Sequence, residues 1–252
     1  KPGHSKVPPA PDDEALAIQM NTPEPWDLWV DGSHSPAFNM AADEVLLRTS
    51  TVRGRPLLRF YEWDRPAKSI GYLQDFSAAE HVAEHVVRRP TGGGVVDHAR
   101  DFTYTVVLPP GHWITRLQRQ ESYACVNRAV ASGLKRLEVP ADLTQLEISP
   151  HVNRRTMICF TNPTRYDLVT PAGKVAGAAQ RRTRDGLLHQ GSILPPHMPD
   201  IDPRRLRQCV CDGFQEELGA VFHPFDPQPD WLRRVNRLAA ERYENESWNR
   251  KR

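Results

Sequence analysis

The segment Arg88-Arg89-Pro90-Thr91-Gly92-Gly93-Gly94-Val95-Val96-Asp97-His98 restricts this chain more than any other. A glycine inside a helix or strand costs roughly 0.5–1 kcal/mol relative to alanine. Three in a row therefore mark backbone that takes positive φ or lies directly against another group. Successive amides in such a run can point at an anion or a carbonyl oxygen as a small nest. A glycine run can also be an ordinary surface turn. The flanks separate the two readings. Val86-Val87 leads in, Val95-Val96 leads out, and residues 102–108 continue as an apolar strand. A glycine run between buried strands reads as a binding loop rather than a linker.

Hydrophobic patterning places that loop in an α+β frame. Strands are expected at 26–30, 55–61, 68–72, 86–89, 102–108, 143–148, 157–160, 166–170, 174–178 and 187–194. Asp31-Gly32-Ser33 reads as a turn, and 102–108 as a strand returning antiparallel to 86–89 or beside it. A helix is expected from Ser35, with Pro36 in its first turn and Met40, Val45, Leu46 and Leu47 on its apolar face. Asp43 and Glu44 would then face water or the first turn of a neighbour. Further helices are expected at 77–85 (Ser77 and Glu80 as its capping pair), 118–137, 203–218 and 229–243, with Trp248 pinning the end of the last. Strands come in runs, with helices between groups, which suggests one mixed, mainly antiparallel sheet packed by helices. Residues 1–25 are rich in proline and read as a disordered arm, and 26–252 as a single domain.

Composition narrows the function classes. A net charge of +2 over 252 residues is too mild to imply nucleic acid. No apolar run approaches the ~20 residues of a membrane span, and residues 1–24 lack the apolar core of a signal peptide. Cys125, Cys159, Cys209 and Cys211 show no Cys-x-x-Cys spacing, and the histidines no paired ligand spacing, so no metal site is expected. A reduced, cytoplasmic protein fits this usage.

A second constellation follows the glycine loop. Lys174 stands alone in Gly173-Lys174-Val175-Ala176-Gly177-Ala178-Ala179-Gln180, where small residues let another group approach the backbone. Such a lysine is either a snorkelling edge residue or an ammonium aimed at an anion or a polarised carbonyl. Cys159 precedes it in Cys159-Phe160-Thr161-Asn162-Pro163-Thr164-Arg165-Tyr166-Asp167. It is either a small buried hydrophobe or a thiolate favoured by nearby cations.

Taken together, these stretches resemble the lipoate/octanoate protein ligase and transferase family, whose catalytic fold is shared with biotin protein ligases. Residues 38–47 are similar to the family's first helix, and 58–63 with 69–74 to its paired strands. Arg88 to His98 resembles its acyl-binding loop, 174–180 its lysine strand, 191–194 the strand after it, and 242–248 the last part of its catalytic domain. The chain departs from the family pattern at Ala99 and Gln190, where Asp and His are usual, and its full Gly92-Gly93-Gly94 triplet is the ligase form.

The resemblance implies an α+β catalytic domain that attaches an octanoyl or lipoyl group to a specific lysine of a lipoyl carrier domain. Such carriers belong to glycine-cleavage or 2-oxoacid dehydrogenase proteins. Cys159-Phe160 and Asp101-Phe102-Thr103-Tyr104 look like the cysteine-type octanoyltransferases, which implies Cys159 as nucleophile, Lys174 as its catalytic partner, an acyl carrier protein as donor and no cofactor. The substrate-binding residues it implies are Arg59, Gly71, Tyr72, Arg89, Thr91, Gly92, Gly93, Gly94, Val95, His98, Gly177, Ala178 and Gly191. The alternative is an ATP- and Mg²⁺-dependent lipoate-protein ligase that works through lipoyl-AMP. A third reading is a non-catalytic acyl- or carrier-binding protein on the same scaffold. Neither nucleic acid nor membrane is expected as a partner.

Overall fold

The computed structural model describes residues 22–80, 85–194 and 201–251. The chain runs β1 (Glu24–His34), helix α1 (Pro36–Arg48), β2 (Leu57–Trp63), β3 (Lys68–Ile70), β4 (Val86–Arg88), β5 (Val96–Asp97) and β6 (Phe102–Leu108). It continues through helix α2 (Arg119–Lys135), β7 (Asp142–Leu143), β8 (Leu168–Thr170), β9 (Gly173–Thr183), β10 (Gly186–Ile193), helix α3 (Pro203–Leu218) and β11 (Ala220–Pro224). Helix α4 (Pro229–Leu238), a π-helical turn (Ala239–Tyr243) and helix α5 (Glu246–Asn249) complete it. Single helical turns lie at Ser50–Arg53, Ser77–Glu80 and Trp113–Arg116. The expected arm falls largely on residues outside those described, as do residues 81–84 and the side chain of Glu80.

Eight strands form one sheet in the order β11-β1-β2-β6-β10-β9-β8-β7. Pairing is parallel across β11-β1-β2 and antiparallel from β2 to β7. A three-stranded sheet, β4-β3-β5, stands beside it and carries the glycine loop. The sheet is thus mixed and mainly antiparallel, as the patterning predicts. Strand β6 does not lie beside β4; it is central, between β2 and β10.

Alternation along the strands divides the interior in two. Leu58, Phe60, Tyr104, Val106 and Leu187 face α2 and α3. Leu57, Tyr61, Val107 and Leu188 face α1 and α4. Helix α1 begins where Ser35 accepts from the Phe38 amide at 3.2 Å, with Pro36 at a position that has no intrahelical acceptor to miss. It is buried nearly all round. Asp43 is wholly enclosed rather than at the surface, and Glu44 accepts from Arg242 and from the Tyr243 hydroxyl, tying α1 to the π-helical turn.

Helices α2 and α3 cross in backbone contact. A Cβ on Gly213 would sit 2.1 Å from the Ala129 carbonyl oxygen, and one on Gly133 2.6 Å from that of Cys209. Cys209 and Cys211 are both buried there, and Cys125 is buried in the same core.

Other expectations are corrected. Asp31-Gly32-Ser33 is not a turn: a bulge between Val30 and Ser33 absorbs those residues and β1 goes on to pair His34 with Trp63. Of residues 143–148 only Leu143 lies in a strand, at the end of the short β7. Residues 157–160 form no strand but an isolated bridge, Ile158 with Val95, followed by a turn, because their backbone groups pair with the end of the glycine loop rather than with the sheet. The helix expected over 229–243 changes to π-helix at Ala239.

His189 on β10 is fully buried. Its Nδ1 accepts from Gln180 Nε2 at 3.0 Å, and burial pushes its pKa down to about 3. The unfolded chain protonates a histidine near pH ~6.5, so the stability from keeping it neutral is complete above that pH. It is lost on acidification at about 1.4 kcal/mol per unit. His189→Gln is expected to flatten the slope of melting temperature against pH between about 5 and 6.5, read from thermal melts; an unchanged slope contradicts the assignment. Gly213→Ala should destabilise by about 2 kcal/mol in urea unfolding, although alanine favours helix by ~1 kcal/mol, because the helices must separate.

Candidate active site

The glycine loop is shaped by Arg89, whose donors all reach oxygen atoms. Nη2 donates to the carbonyls of Gly92 at 2.6 Å and Gly94 at 2.7 Å, and Nε donates to Gly92 at 3.0 Å. Nη1 reaches the Ser69 carbonyl at 3.0 Å and its Oγ at 3.1 Å. With those carbonyls turned onto the guanidinium, the amides of Gly92, Gly93 and Gly94 meet no acceptor among the described residues. Gly93 takes φ +87°, a conformation that favours glycine. Burial pulls the Arg89 pKa down to about 10, so the group stays charged at neutral pH.

Two neighbours press on the loop. A Cβ on Gly71 would lie 2.1 Å from the Gly93 carbonyl oxygen; one on Gly94 would lie 2.7 Å from that of Met157 and 2.9 Å from the Cys159 amide nitrogen. The Val95 amide donates to the Met157 carbonyl at 2.9 Å, and the Cys159 amide to the Val95 carbonyl at 2.8 Å. The triplet thus seats the cysteine segment by backbone pairing.

Lys174 meets Cys159 from β9. Its Nζ lies 2.7 Å from Asp167 Oδ2, 3.0 Å from the Cys159 carbonyl oxygen and 3.2 Å from Cys159 Sγ. Three acceptors thus match the three protons of an ammonium. The Lys174 side chain is 1% exposed. Burial alone lowers its pKa, but the charges of Cys159 and Asp167 outweigh that and the net direction is upward. Gly177 makes the room: a Cβ there would lie 2.4 Å from Lys174 Cε. Asp167 also accepts from the amide and hydroxyl of Thr164 at 2.7 and 2.9 Å. Tyr166, just before it, takes φ +70°, a strained conformation for a non-glycine residue.

Cys159 opens on a cavity of about 410 Å³, including its mouth. Met40, Tyr61, Trp63, Val96 and Ala179 give it apolar walls. Its polar residues are bonded to one another. Ser69 Oγ lies 2.8 Å from His98 Nε2, and His98 Nδ1 lies 2.8 Å from Asp101 Oδ2. Gln190 donates to Asp43 at 2.7 Å and accepts from Thr91 at 2.7 Å. Little hydrogen-bonding capacity is left for an occupant, which suits an apolar chain.

Of the expected site residues, Arg89, Gly93, His98, Cys159, Gly177, Ala178 and Gly191 line this cavity. Gly92 lines an adjoining cleft together with Gly93 and Ala178. Gly71, Tyr72, Thr91, Gly94 and Val95 lie behind these surfaces and fix the loop. Arg59 lines neither cavity. It shares the α1 face of β2 with Leu57 and Tyr61, is fully buried, and donates to Asp43 and Asp31, each at 2.7 Å. Asp167, Asp43 and Asp101 were not singled out from the sequence. The signal available for Asp167 was Lys174 itself, since an enclosed ammonium requires a counter-charge. Among the described residues no cluster of three metal-ligating side chains occurs, and no helix is long and apolar enough to cross a membrane.

Comparison with known proteins adds ancestry to this geometry. The family model for the lipoyl protein ligase A/B catalytic domain matches residues 35–215. The octanoyltransferase LipM of Anoxybacillus flavithermus is 32% identical over a 275-residue alignment covering 91% of this chain and 99% of that protein. The octanoyltransferase LipM of Carboxydothermus hydrogenoformans is 38% identical over 208 residues, covering 79% of this chain and 76% of the relative. A chain from the solved archaeal lipoylation system of Thermoplasma acidophilum, a bipartite lipoate protein ligase and its E2 lipoyl domain, shares the fold. Its TM-score is 0.71 at 20% identity, with 90% of this chain and 96% of that one covered. The matched span contains the glycine loop, Cys159 and Lys174, and the chain belongs to the lipoyl protein ligase A/B catalytic domain family.

Proposed function

We propose that this protein is an acyltransferase that moves an octanoyl or lipoyl group to a lysine of a lipoyl carrier domain through a thioester on Cys159. The observation that carries the reading is the 3.2 Å contact between Lys174 Nζ and Cys159 Sγ at the mouth of an apolar cavity. A cation at that distance stabilises negative charge on sulfur. The other cysteines are enclosed, and burial raises Cys125 to about 11 and Cys211 to about 12, so neither is a ready nucleophile. The relatives named octanoyltransferase support the same reaction class.

In the first step the Cys159 thiolate attacks the carbonyl of an acyl thioester, such as one on an acyl carrier protein. A new C–S bond forms, and the donor thiolate leaves and takes a proton. The free amides of Gly92 to Gly94 suit the oxyanion of the tetrahedral intermediate. In the second step the neutral ε-amine of the carrier lysine attacks the acyl-enzyme. The amide forms, its extra proton passes to solvent, and the Cys159 thiolate returns. Asp167 keeps Lys174 extended toward the sulfur in both steps. Thioester-to-amide transfer consumes no nucleotide. Carriers of the glycine-cleavage or 2-oxoacid dehydrogenase type fit as acceptors.

The same unoccupied amides also suit a phosphate, which favours an ATP-dependent ligase as the second reading. There, lipoate, ATP and Mg²⁺ would give lipoyl-AMP before transfer.

Intact-mass measurement separates these. Wild type incubated with octanoyl carrier protein and no ATP is expected to gain one octanoyl group, and Cys159→Ala none. Transfer by Cys159→Ala at the wild-type rate would end the nucleophile assignment, and a strict ATP requirement would favour the ligase. Lys174→Met should slow adduct formation about 100-fold or more, as loss of a charged stabiliser does. Asp167→Asn should give a smaller loss in the same rate, measured by quenched-flow mass spectrometry.

A further inference from the structure

The cleft that adjoins the Cys159 cavity has a chemistry of its own. It has a volume of about 480 Å³ and shares Gly93, Ala178 and Ala179 with the cavity, so the two spaces meet at the glycine loop. Its charged lining is Arg119, Arg154, Arg165 and Glu147. Three guanidinium groups thus face one carboxylate. Glu147 lies 3.5 Å from Arg165 Nη1, which also donates to Gln120 at 3.3 Å, while Arg165 Nε is sealed from solvent and has no acceptor. Arg119 and Arg154 are exposed, and their guanidinium groups have no hydrogen-bond or ion-pair partner among the described residues. Arg119 is also the first residue of α2, a 17-residue helix, so its charge adds to the positive end of the dipole.

An apolar slot that ends in a nucleophile accounts for an acyl chain, but it leaves unexplained why the approach beside it is cationic. Arginine is suited to phosphate, because its planar donors match phosphate oxygens in pairs. An acyl thioester borne on a phosphorylated pantetheine-type arm supplies such a group beyond its leaving thiol, and the cleft adjoins the cavity at the glycine loop. We propose that this cleft binds the phosphate of the thioester donor's arm through Arg119 and Arg154, with Arg165 at the wall. This rests on the thioester reading above and adds to it a donor-recognition site separate from the acyl slot. Phosphate contact then selects which thioester is used, while the cavity selects the acyl group.

The test uses two donors that differ by one phosphate: octanoyl-phosphopantetheine and octanoyl-pantetheine. The readout is kcat/KM for the Cys159 adduct in the full chain. Wild type is expected to prefer the phosphorylated donor by about 10-fold, the size of a charge-assisted hydrogen bond at a partly solvated site. The preference should shrink as salt rises. In the Arg119→Gln/Arg154→Gln double variant the ratio should fall close to one. A ratio needs no correction for the fraction folded, so a poorly folding variant still reports. Equal use of both donors by wild type, or a preference that survives the double substitution, overturns the proposal. No adduct from either donor in wild type removes the thioester reading first and this proposal with it. A third arm supplies lipoate with ATP: if the donor ratio is flat and lipoyl-AMP formation drops in the double variant, the phosphate site belongs to a nucleotide and the proposal fails.

Discussion

Two adjacent buried arginines hold the architecture of this site. Successive residues of a strand point to opposite sides, and Arg88 and Arg89 use this to grip different parts of the chain. Arg88 donates to the carbonyls of Gly71, Gln74 and Asn249, binding the end of β3 to α5. Arg89 donates to Ser69, Gly92 and Gly94 and shapes the loop. Lysine could not replace either, because the task is to satisfy several fixed carbonyls at once with a planar fork of donors. Arg89 is also bonded to neutral oxygens rather than to a carboxylate. Its hydrogen bonds are complete while its charge is not cancelled, and that leaves positive potential beside Cys159.

Charge in the site is therefore graded. Both Arg89 and Lys174 interact with Cys159 by charge, and only Lys174 has a carboxylate, Asp167, behind it. The cavity walls follow a different rule. Asp43 is bonded to Arg59, Thr105 and Gln190, and Gln190 in turn to Thr91, so a chain of buried polar contacts runs from α1 to the glycine loop. Fully paired networks of this kind make a wall rigid without offering groups to an occupant. The outcome is a non-adhesive slot for hydrocarbon with a charged mouth.

Much of this could be read in the sequence where the residue types were restrictive by themselves. Three glycines next to two arginines, one lysine among small residues and a cysteine shortly before it mark positions that ordinary packing does not need. The helices at α1, α2 and α3 were legible from apolar spacing and caps. What was not legible depends on pairing between distant residues. Asp43 sits on a helix whose sequence allows an exposed face, and only Arg59, 16 positions on, makes its burial tolerable. Arg59 was named from the family resemblance alone, and its pairing with an acid on the facing helix is not visible in a strand pattern. Residues 157–160 have strand-like composition, yet the glycine loop takes their backbone groups. Turn-forming residues at 31–33 are carried by a bulge, which composition does not distinguish from a turn.

The grip of Arg88 on Asn249 spans 161 positions, and Trp248 donates its indole N–H to the Arg88 carbonyl across 160. Contacts of that separation close slowly, because the intervening chain must first be ordered. The strands of the small sheet that carries the glycine loop pair with near neighbours in the chain, and it is the brace on that sheet from α5 that has high contact order. The sheet's three short strands have little area of their own with which to persist alone. The loop's strands can pair early, but their brace has to wait for the far end of the chain, as the β1–β11 edge of the large sheet does. A chain not yet closed at α5 would hold its glycine loop unbraced, so the reactive corner is completed only when the last helix docks.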